Sequence, residues 1–305
     1  MRILFFGTDQ FAKELLSFLL EKKLNVVAVV TRPDQPKGRS QKIEKPPVVE
    51  GYSGYVYQPV KVSDPEFALV LKGLNADLFV VVSYGQILKQ NILDIPKYGT
   101  INVHPSLLPK YRGPSPIQSA VLAGEEETGV TIMEMELAMD AGGIIEVVKT
   151  KIPLDMTFGA LEEHLVELAK DPLYRVIQKI EQAKQIKSIQ QNESLATYTK
   201  KIHVEDSFID WNRSSKEICD FVRGMNPRPG ARMKIEGGKS LMKIFYVKPA
   251  PYQGEAGKVI FFDQEHGLII ACQNGAVALL EVQLEGKKRM AIKDFINGFA
   301  KKINI

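Results

Sequence analysis

Only two of the 305 residues are cysteines, Cys219 and Cys272, and their separation makes neither a metal-ligand pattern nor a disulfide framework. That scarcity points to an intracellular, reducing compartment. No apolar run approaches the length of a membrane span. Met1 leads directly into the strand-like MRILFF, without a basic leader and a long apolar stretch. A cytoplasmic protein with no membrane partner is expected. The dinucleotide fingerprint is missing as well: the first tight turn, Gly7-Thr8-Asp9, carries one glycine where G-x-G-x-x-G needs three. A nicotinamide enzyme is therefore demoted. Histidine is scarce, with four in the chain, and none has a second His or Cys at metal-ligand spacing, so no metal is expected. Charge is not one-sided either. The formal net charge is +4, and all of it falls from Glu205 onward, where 16 Lys and Arg meet 12 Asp and Glu. A solvated surface accounts for that excess more simply than an anionic partner, although nucleic acid would fit it.

The chain has the 45% hydrophobic and 25% charged share of an ordinary soluble protein, and its length suggests two domains. A strand at 1–6, a turn, helical spacing through Phe11, Leu15, Phe18 and Leu19, and a β-branched strand at 25–31 form a β-turn-α-β opening. That opening implies a Rossmann-like, mostly parallel sheet. Residues 32–45, RPDQPKGRSQKIEK, then interrupt the pattern with five basic residues. A solvated surface loop and a flexible basic finger that meets phosphates through Lys37, Arg39 and Lys42 account for it equally well. Ser63-Asp64-Pro65-Glu66 has the form of a capping box and predicts a helix to about 74. The run 78–82 predicts a strand covered on both faces, ending at Ser83-Tyr84-Gly85, where ligands bind in open α/β sheets. Further strands are expected at 99–103, 129–137 and 144–150. Helices are expected at 114–122 and at 158–187, the latter with a kink at Pro172. Polar residues 190–204 read as a linker between a first domain, 1–189, and a last one, 205–305. The last domain holds a short helix at 214–223, five short strands and a final helix at 292–301. Five short strands suggest a small β-barrel of the oligonucleotide-binding (OB-like) kind.

Gly99 to Ile117, GTINVHPSLLPKYRGPSPI, draws most attention. Asn102 and His104 lie two apart on a strand and so share a face, and Pro105, Pro109 and Gly113 end the strand in an irregular loop. A second loop between two strands, Ala138-Met139-Asp140-Ala141-Gly142-Gly143, presents a carboxylate followed by two glycines. Asn can donate to an oxygen that becomes negative, His can donate or accept a proton, and Asp can hold His in one tautomer. No serine or cysteine stands beside them as a nucleophile. The set suits direct transfer of an acyl-type group between two substrates. Taken alone, a structural histidine, a loop-capping amide and an ordinary turn aspartate explain the same residues. For His164, His203 and His266 a structural role suffices.

The run NVHPSLLPKYRGPSPIQ, followed by TGVTIMEMELAMDAG, resembles the signature of the N10-formyltetrahydrofolate-dependent formyltransferase family: N-x-H, S-L-L-P, an R/K-x-R-G-x-x-P turn and a downstream D-x-G. Asn102, His104 and Asp140 match its catalytic Asn, His and Asp. VVTRPDQPKGRSQK, FIDWN, MNPRPGA and EGKKRMAIKDFING resemble the branch of the family whose acceptor is methionyl-tRNA, so the likeness spans nearly the whole chain. Departures are GTDQFA for GTPDFA, Pro105 for glycine, AMDAGG for GLDTGD, and Lys110 for arginine, which keeps charge but loses the planar fork. The resemblance implies a co-substrate, 10-formyltetrahydrofolate, that leaves as tetrahydrofolate. It would lie against Tyr84, Gly85, Ile87, Ser106, Leu107, Leu108 and Pro109. It also implies an initiator methionyl-tRNA acceptor held by Lys37, Arg39, Lys42, Lys287, Lys288 and Arg289, and a monomer. A relative acting on a small amine, or an RNA-binding protein with a dead catalytic domain, would share part of these features.

Overall fold

The computed structural model describes residues 1–37, 42–235 and 240–299. Strand β1 (Arg2–Gly7) is buried on both faces and turns into α1 (Gln10–Glu21), whose N-terminus is capped by the Asp9 carboxylate accepting from the Ala12 N–H at 3.0 Å. After α1 come β2 (Asn25–Val30), the short strands β3 (Gln35–Lys37) and β4 (Lys42–Glu44), β5 (Tyr55–Tyr57) and α2 (Pro65–Gly73). Then follow β6 (Leu78–Val82), α3 (Gln90–Leu93), β7 (Thr100–His104), α4 (Pro116–Leu122), β8 (Glu127–Glu134), β9 (Ile144–Lys151) and α5 (Phe158–Ala183). Seven of these strands make one sheet in the order β5-β2-β1-β6-β7-β8-β9. The five from β5 to β7 run parallel, and β8 is antiparallel to β7. The connection reverses direction beside β1, so the carboxyl ends of β1, β6 and β7 open onto the crevice where such sheets bind ligands.

Two expectations shift locally. The basic stretch after β2 is a hairpin rather than an irregular loop: Gln35 pairs with Glu44, Pro36 with Ile43 and Lys37 with Lys42. Arg39 lies outside the described residues. At α2 the capping box does not form. Asp64 is the N-cap, without a side-chain cap, because the Ser63 hydroxyl is drawn away to the segment after β6, donating to the Ile87 carbonyl and accepting from the Lys89 N–H. Pro65 at the first helical position has no N–H to satisfy. Helix α5 runs through Pro172 and ends at Ala183, where Lys184 turns left-handed with φ 56°.

The second half holds α6 (Ser215–Met225), β10 (Ala231–Ile235), β11 (Ser240–Ala250), β12 (Val259–Asp263), β13 (Gly267–Cys272), β14 (Gly275–Leu284), β15 (Met290–Ala291) and α7 (Ile292–Phe299). The strands form an antiparallel sheet, β10-β11-β14-β13-β12 with β15 on β14. Helices α6 and α7 bury Ile218, Val222, Phe295 and Ile296 in its core. A reciprocal Ser214–Glu217 capping box starts α6.

The chain divides into two compact units: Met1–Pro116, Thr128–Thr150 and Glu162–Thr199, and Ile117–Glu127, Lys151–Leu161 and Lys200–Ile305. Two pieces of the first 189 residues thus belong with the C-terminal part. The Gln118 amide donates to the carbonyls of Gly224 and Arg228, and the Gly159 N–H to that of Asn226. Residues 190–199, composed like a linker, belong to the first unit.

Candidate active site

His104 ends β7 and is buried, and its backbone pairs with Thr131 on β8. Its Nε2 lies 3.0 Å from the Tyr111 carbonyl oxygen, and its Nδ1 lies 3.7 Å from Oδ2 of Asp140. A carbonyl only accepts, so Nε2 carries a proton. Were the ring neutral, Nδ1 would then turn a lone pair toward a carboxylate. The ring is thus oriented with Nε2–H on the Tyr111 carbonyl and Nδ1 facing the Asp140 carboxylate. Asn102 shares the face of β7 with His104, is half-buried, and has no side-chain hydrogen bond among the described residues. The chain folding thus brings Asp140 to His104 from 36 residues away.

Asp140 sits in left-handed backbone, φ 51°, and its Oδ2 accepts from the Gly113 N–H at 2.7 Å. The two glycines after it serve packing. A Cβ on Gly142 would lie 1.9 Å from the Glu134 carbonyl oxygen, and one on Gly143 would lie 2.3 Å from the Ser188 hydroxyl. These contacts seat the loop against β8 and the segment after α5.

The loop after His104 is closed internally. The Ser106 hydroxyl donates to the Lys110 carbonyl at 2.7 Å, and the Thr131 hydroxyl donates to the Ser106 carbonyl and accepts from the Leu108 N–H. Of the residues expected to meet folate, Tyr84, Ser106 and Leu108 are buried, Leu107 and Pro109 half-buried, and Gly85 and Ile87 exposed. The Tyr84 carbonyl accepts from the Thr8 hydroxyl in the turn after β1, and burial pushes the Tyr84 phenol well above the ordinary tyrosine range. These residues follow the carboxyl ends of β6 and β7.

Sequence reasoning missed what surrounds this corner. Arg112, quoted only as part of a motif, is 1% exposed, and its guanidinium donates to Gln191 Oε1, to both oxygens of Glu193 and to the Tyr198 hydroxyl. The hydrogen bonds to Glu193 drive its pKa further up against the cost of burial. A charged residue amid Pro and Gly, followed far downstream by a polar run holding one carboxylate, was the available signal. A cleft of about 390 Å³ lies on this side of the Asp140 loop, lined by Arg112, Glu136, Met139, Gln191 and Tyr198 among others. None of the expected folate residues lines it.

The remaining candidates are accounted for locally. His164 pairs with Thr150, His203 with Asp206, and His266 with Asp263 and the Phe261 ring. Both cysteines are free thiols, and burial, with Asp220 adding to it, pushes Cys219 up to about 11, which rules against a nucleophile. Among the described residues no group of three or more His, Cys, Asp or Glu could hold a metal. No described helix is long and apolar enough to cross a membrane. In the second unit, Lys287 and Lys288 are exposed, whereas Arg289 is paired with Glu281 and stacked on Phe245 and Tyr246.

Residues 1–177 match the model of the formyl transferase family, and residues 201–300 match that of the formyl transferase C-terminal domain. The chain belongs to the formyltransferase family. It is 45% identical over 99% of its length to a methionyl-tRNA formyltransferase of Protochlamydia amoebophila, covering 96% of that protein. It is 41% identical over 98% of its length to a methionyl-tRNA formyltransferase of Citrifermentans bemidjiense, covering 94% of it. Among solved structures, HypX from Aquifex aeolicus in complex with tetrahydrofolic acid shares the fold with a TM-score of 0.68 at 19% identity. That match covers 99% of this chain and 48% of the other, so this family member spans about half the length of HypX.

Proposed function

We infer that the chain transfers the formyl group of 10-formyltetrahydrofolate to the α-amino group of initiator methionyl-tRNA, releasing tetrahydrofolate. Relatives named for this reaction, at 45% and 41% identity along nearly the full chain, support the acceptor. The observation that carries the chemistry is the imidazole of His104 held between the Tyr111 carbonyl and the Asp140 carboxylate. The uncharged amine attacks the formyl carbon, and the carbonyl oxygen becomes negative as the new C–N bond forms. The Asn102 amide donates to that oxygen. The His104 imidazolium stabilises it by charge and through Nδ1–H, which at 3.7 Å from Asp140 is not committed to a hydrogen bond. Asp140 faces Nδ1 and orients the ring. The bond from the formyl carbon to folate N10 then breaks, one proton leaves the attacking nitrogen, and one arrives at N10.

The co-substrate fits the carboxyl ends of β6 and β7. There the turn through Ser83 and Gly85 is exposed, and the 106–109 turn is braced by Thr131. For the tRNA, Lys37 and Lys42 of the hairpin strands, Arg39 between them in sequence, and Lys287 and Lys288 are the proposed phosphate contacts, with Arg289 a weaker one because Glu281 already neutralises it. The enzyme acts as a cytoplasmic monomer. The test is release of tetrahydrofolate from 10-formyltetrahydrofolate with charged initiator tRNA, with small amines such as glycinamide ribonucleotide or a nucleotide sugar, and with no acceptor. Release only with methionyl-tRNA is expected. Preferential turnover of a small amine, or none with any acceptor, overturns the reading.

A further inference from the structure

The three groups that set His104 are not held by their own neighbours. Its acceptor is the carbonyl of Tyr111, and the carboxylate it faces is fixed by the N–H of Gly113. Both belong to the three-residue turn Tyr111-Arg112-Gly113, whose ends have φ 61° and 111°. Left-handed backbone costs a tyrosine about 1 kcal/mol or more, so something outside the turn must hold it. The 190–199 segment does so. The Arg112 N–H donates to the Thr197 carbonyl at 2.8 Å, the Thr199 N–H to the Arg112 carbonyl at 2.7 Å, and the Tyr111 N–H to the Thr197 hydroxyl at 2.8 Å.

One side chain joins this turn to the Asp140 loop. Gln191, buried, accepts from the Arg112 guanidinium at 2.8 and 3.2 Å through Oε1. Its amide nitrogen donates to the backbone carbonyls of Asp140 at 2.8 Å and Gly142 at 2.7 Å. All of its hydrogen-bonding capacity toward the site is thus divided between the half that carries the Tyr111 carbonyl and the half that carries the carboxylate.

We propose that Gln191, together with Arg112, is a positioning residue that sets the separation of Asp140 from His104 and so the orientation of the imidazole. Gln191 touches neither reacting group and acts through Asp140. The proposal rests on the formyl-transfer reading for its kinetic part alone. An amide is required because one end must accept from a guanidinium while the other donates to two carbonyls. A carboxylate can do the first only, and an apolar side chain neither.

The test compares wild type with Gln191→Met, which keeps the volume, and Gln191→Glu, which keeps the acceptor for Arg112 but loses both donors to the Asp140 loop. Both should lower kcat by about tenfold to a hundredfold through misplacement of the carboxylate. The KM values for methionyl-tRNA and 10-formyltetrahydrofolate should hold, a split that a merely structural role would not produce. Independently of turnover, the ¹H–¹⁵N correlations of the His104 ring in the full chain should shift in both variants. Wild-type kcat with an unchanged His104 spectrum in a folded Gln191→Glu protein overturns the proposal, even where Gln191→Met fails to fold. Should the wild-type chain formylate nothing, the functional reading falls. The ring spectra then decide the positioning claim alone, altered spectra supporting it and unaltered ones refuting it.

Discussion

Arg112 in the first unit and Arg223 in the second are both nearly inaccessible, yet they are satisfied in opposite ways. Arg223 finds its carboxylate three residues back on its own helix: Asp220, equally buried, accepts from Nε at 2.8 Å and from Nη2 at 2.7 Å, and Lys216 adds a third charge. Arg112 reaches Gln191, Glu193 and Tyr198, 79 to 86 residues away, and the Glu193 carboxylate is largely in solvent. A buried charge paired within one helix stabilises that helix, and the one tie Arg223 makes to distant chain is to a neutral group, Nη1 donating to the Met156 carbonyl at 3.3 Å. A buried charge whose partners lie on another segment fixes the geometry between segments. In this protein that geometry is the setting of His104.

The largest expected effect tests whether that setting is catalytic at all. Asn102→Ala and His104→Ala should each lower kcat by about a hundredfold to a thousandfold, as removal of one oxyanion donor does. The thermal melt should remain cooperative. Near-wild-type turnover in either variant, measured as tetrahydrofolate release, would remove that residue from the mechanism and reduce Arg112 to a structural arginine like Arg223.

The next effect separates the two arginines directly. Arg223→Met leaves Asp220 buried opposite a single exposed lysine, and urea unfolding should show a loss of about 3 kcal/mol. Turnover per folded molecule should stay at the wild-type level. Arg112→Met should cost about 1–3 kcal/mol, since Glu193 can hydrate but Gln191 cannot. It should also cut kcat at least about tenfold. Equal losses of kcat in the two variants would break the comparison.

The smallest effect concerns an ion pair of neither kind. Burial raises the Glu146 carboxyl, but hydrogen bonds from Arg175 and Lys179 outweigh it and hold the group below the usual carboxylate range. A depressed carboxyl stabilises the folded state above its unfolded pKa and loses that contribution as the pH falls through its folded value. Glu146→Gln should therefore cost less than about 1 kcal/mol at neutral pH, because both cations are exposed. The Tm difference from wild type should vanish in acid. A difference that persists in acid would place the effect of Glu146 in packing rather than charge.

Much of this was legible along the chain. The alternation of β-branched runs with helical spacing is local, and so β1, α1, β2, β6 and β7 stand close to where their patterns put them. The face shared by Asn102 and His104 follows from strand geometry alone. The hairpin of the basic stretch was not legible, because three-residue strands carry too little pattern to distinguish from a loop. Ser63 escaped for another reason: its hydroxyl answers to Ile87 and Lys89, more than twenty residues on.

What the sequence determined by itself is the inventory: a mostly parallel α/β sheet, a C-terminal domain of short strands, and an Asn, a His and an Asp of the types that acyl transfer needs. Those features depend on side-chain type and short spacing, which one chain displays openly. Only the tertiary structure decided that Asp140 faces Nδ1 while a main-chain carbonyl takes Nε2. It alone decided that the glycines beside Asp140 serve packing, and that the polar stretch at 190–199 bonds to the Tyr111-Arg112-Gly113 turn. Each of these is a hydrogen bond or a steric limit between residues far apart in sequence, and no local pattern encodes such a partner.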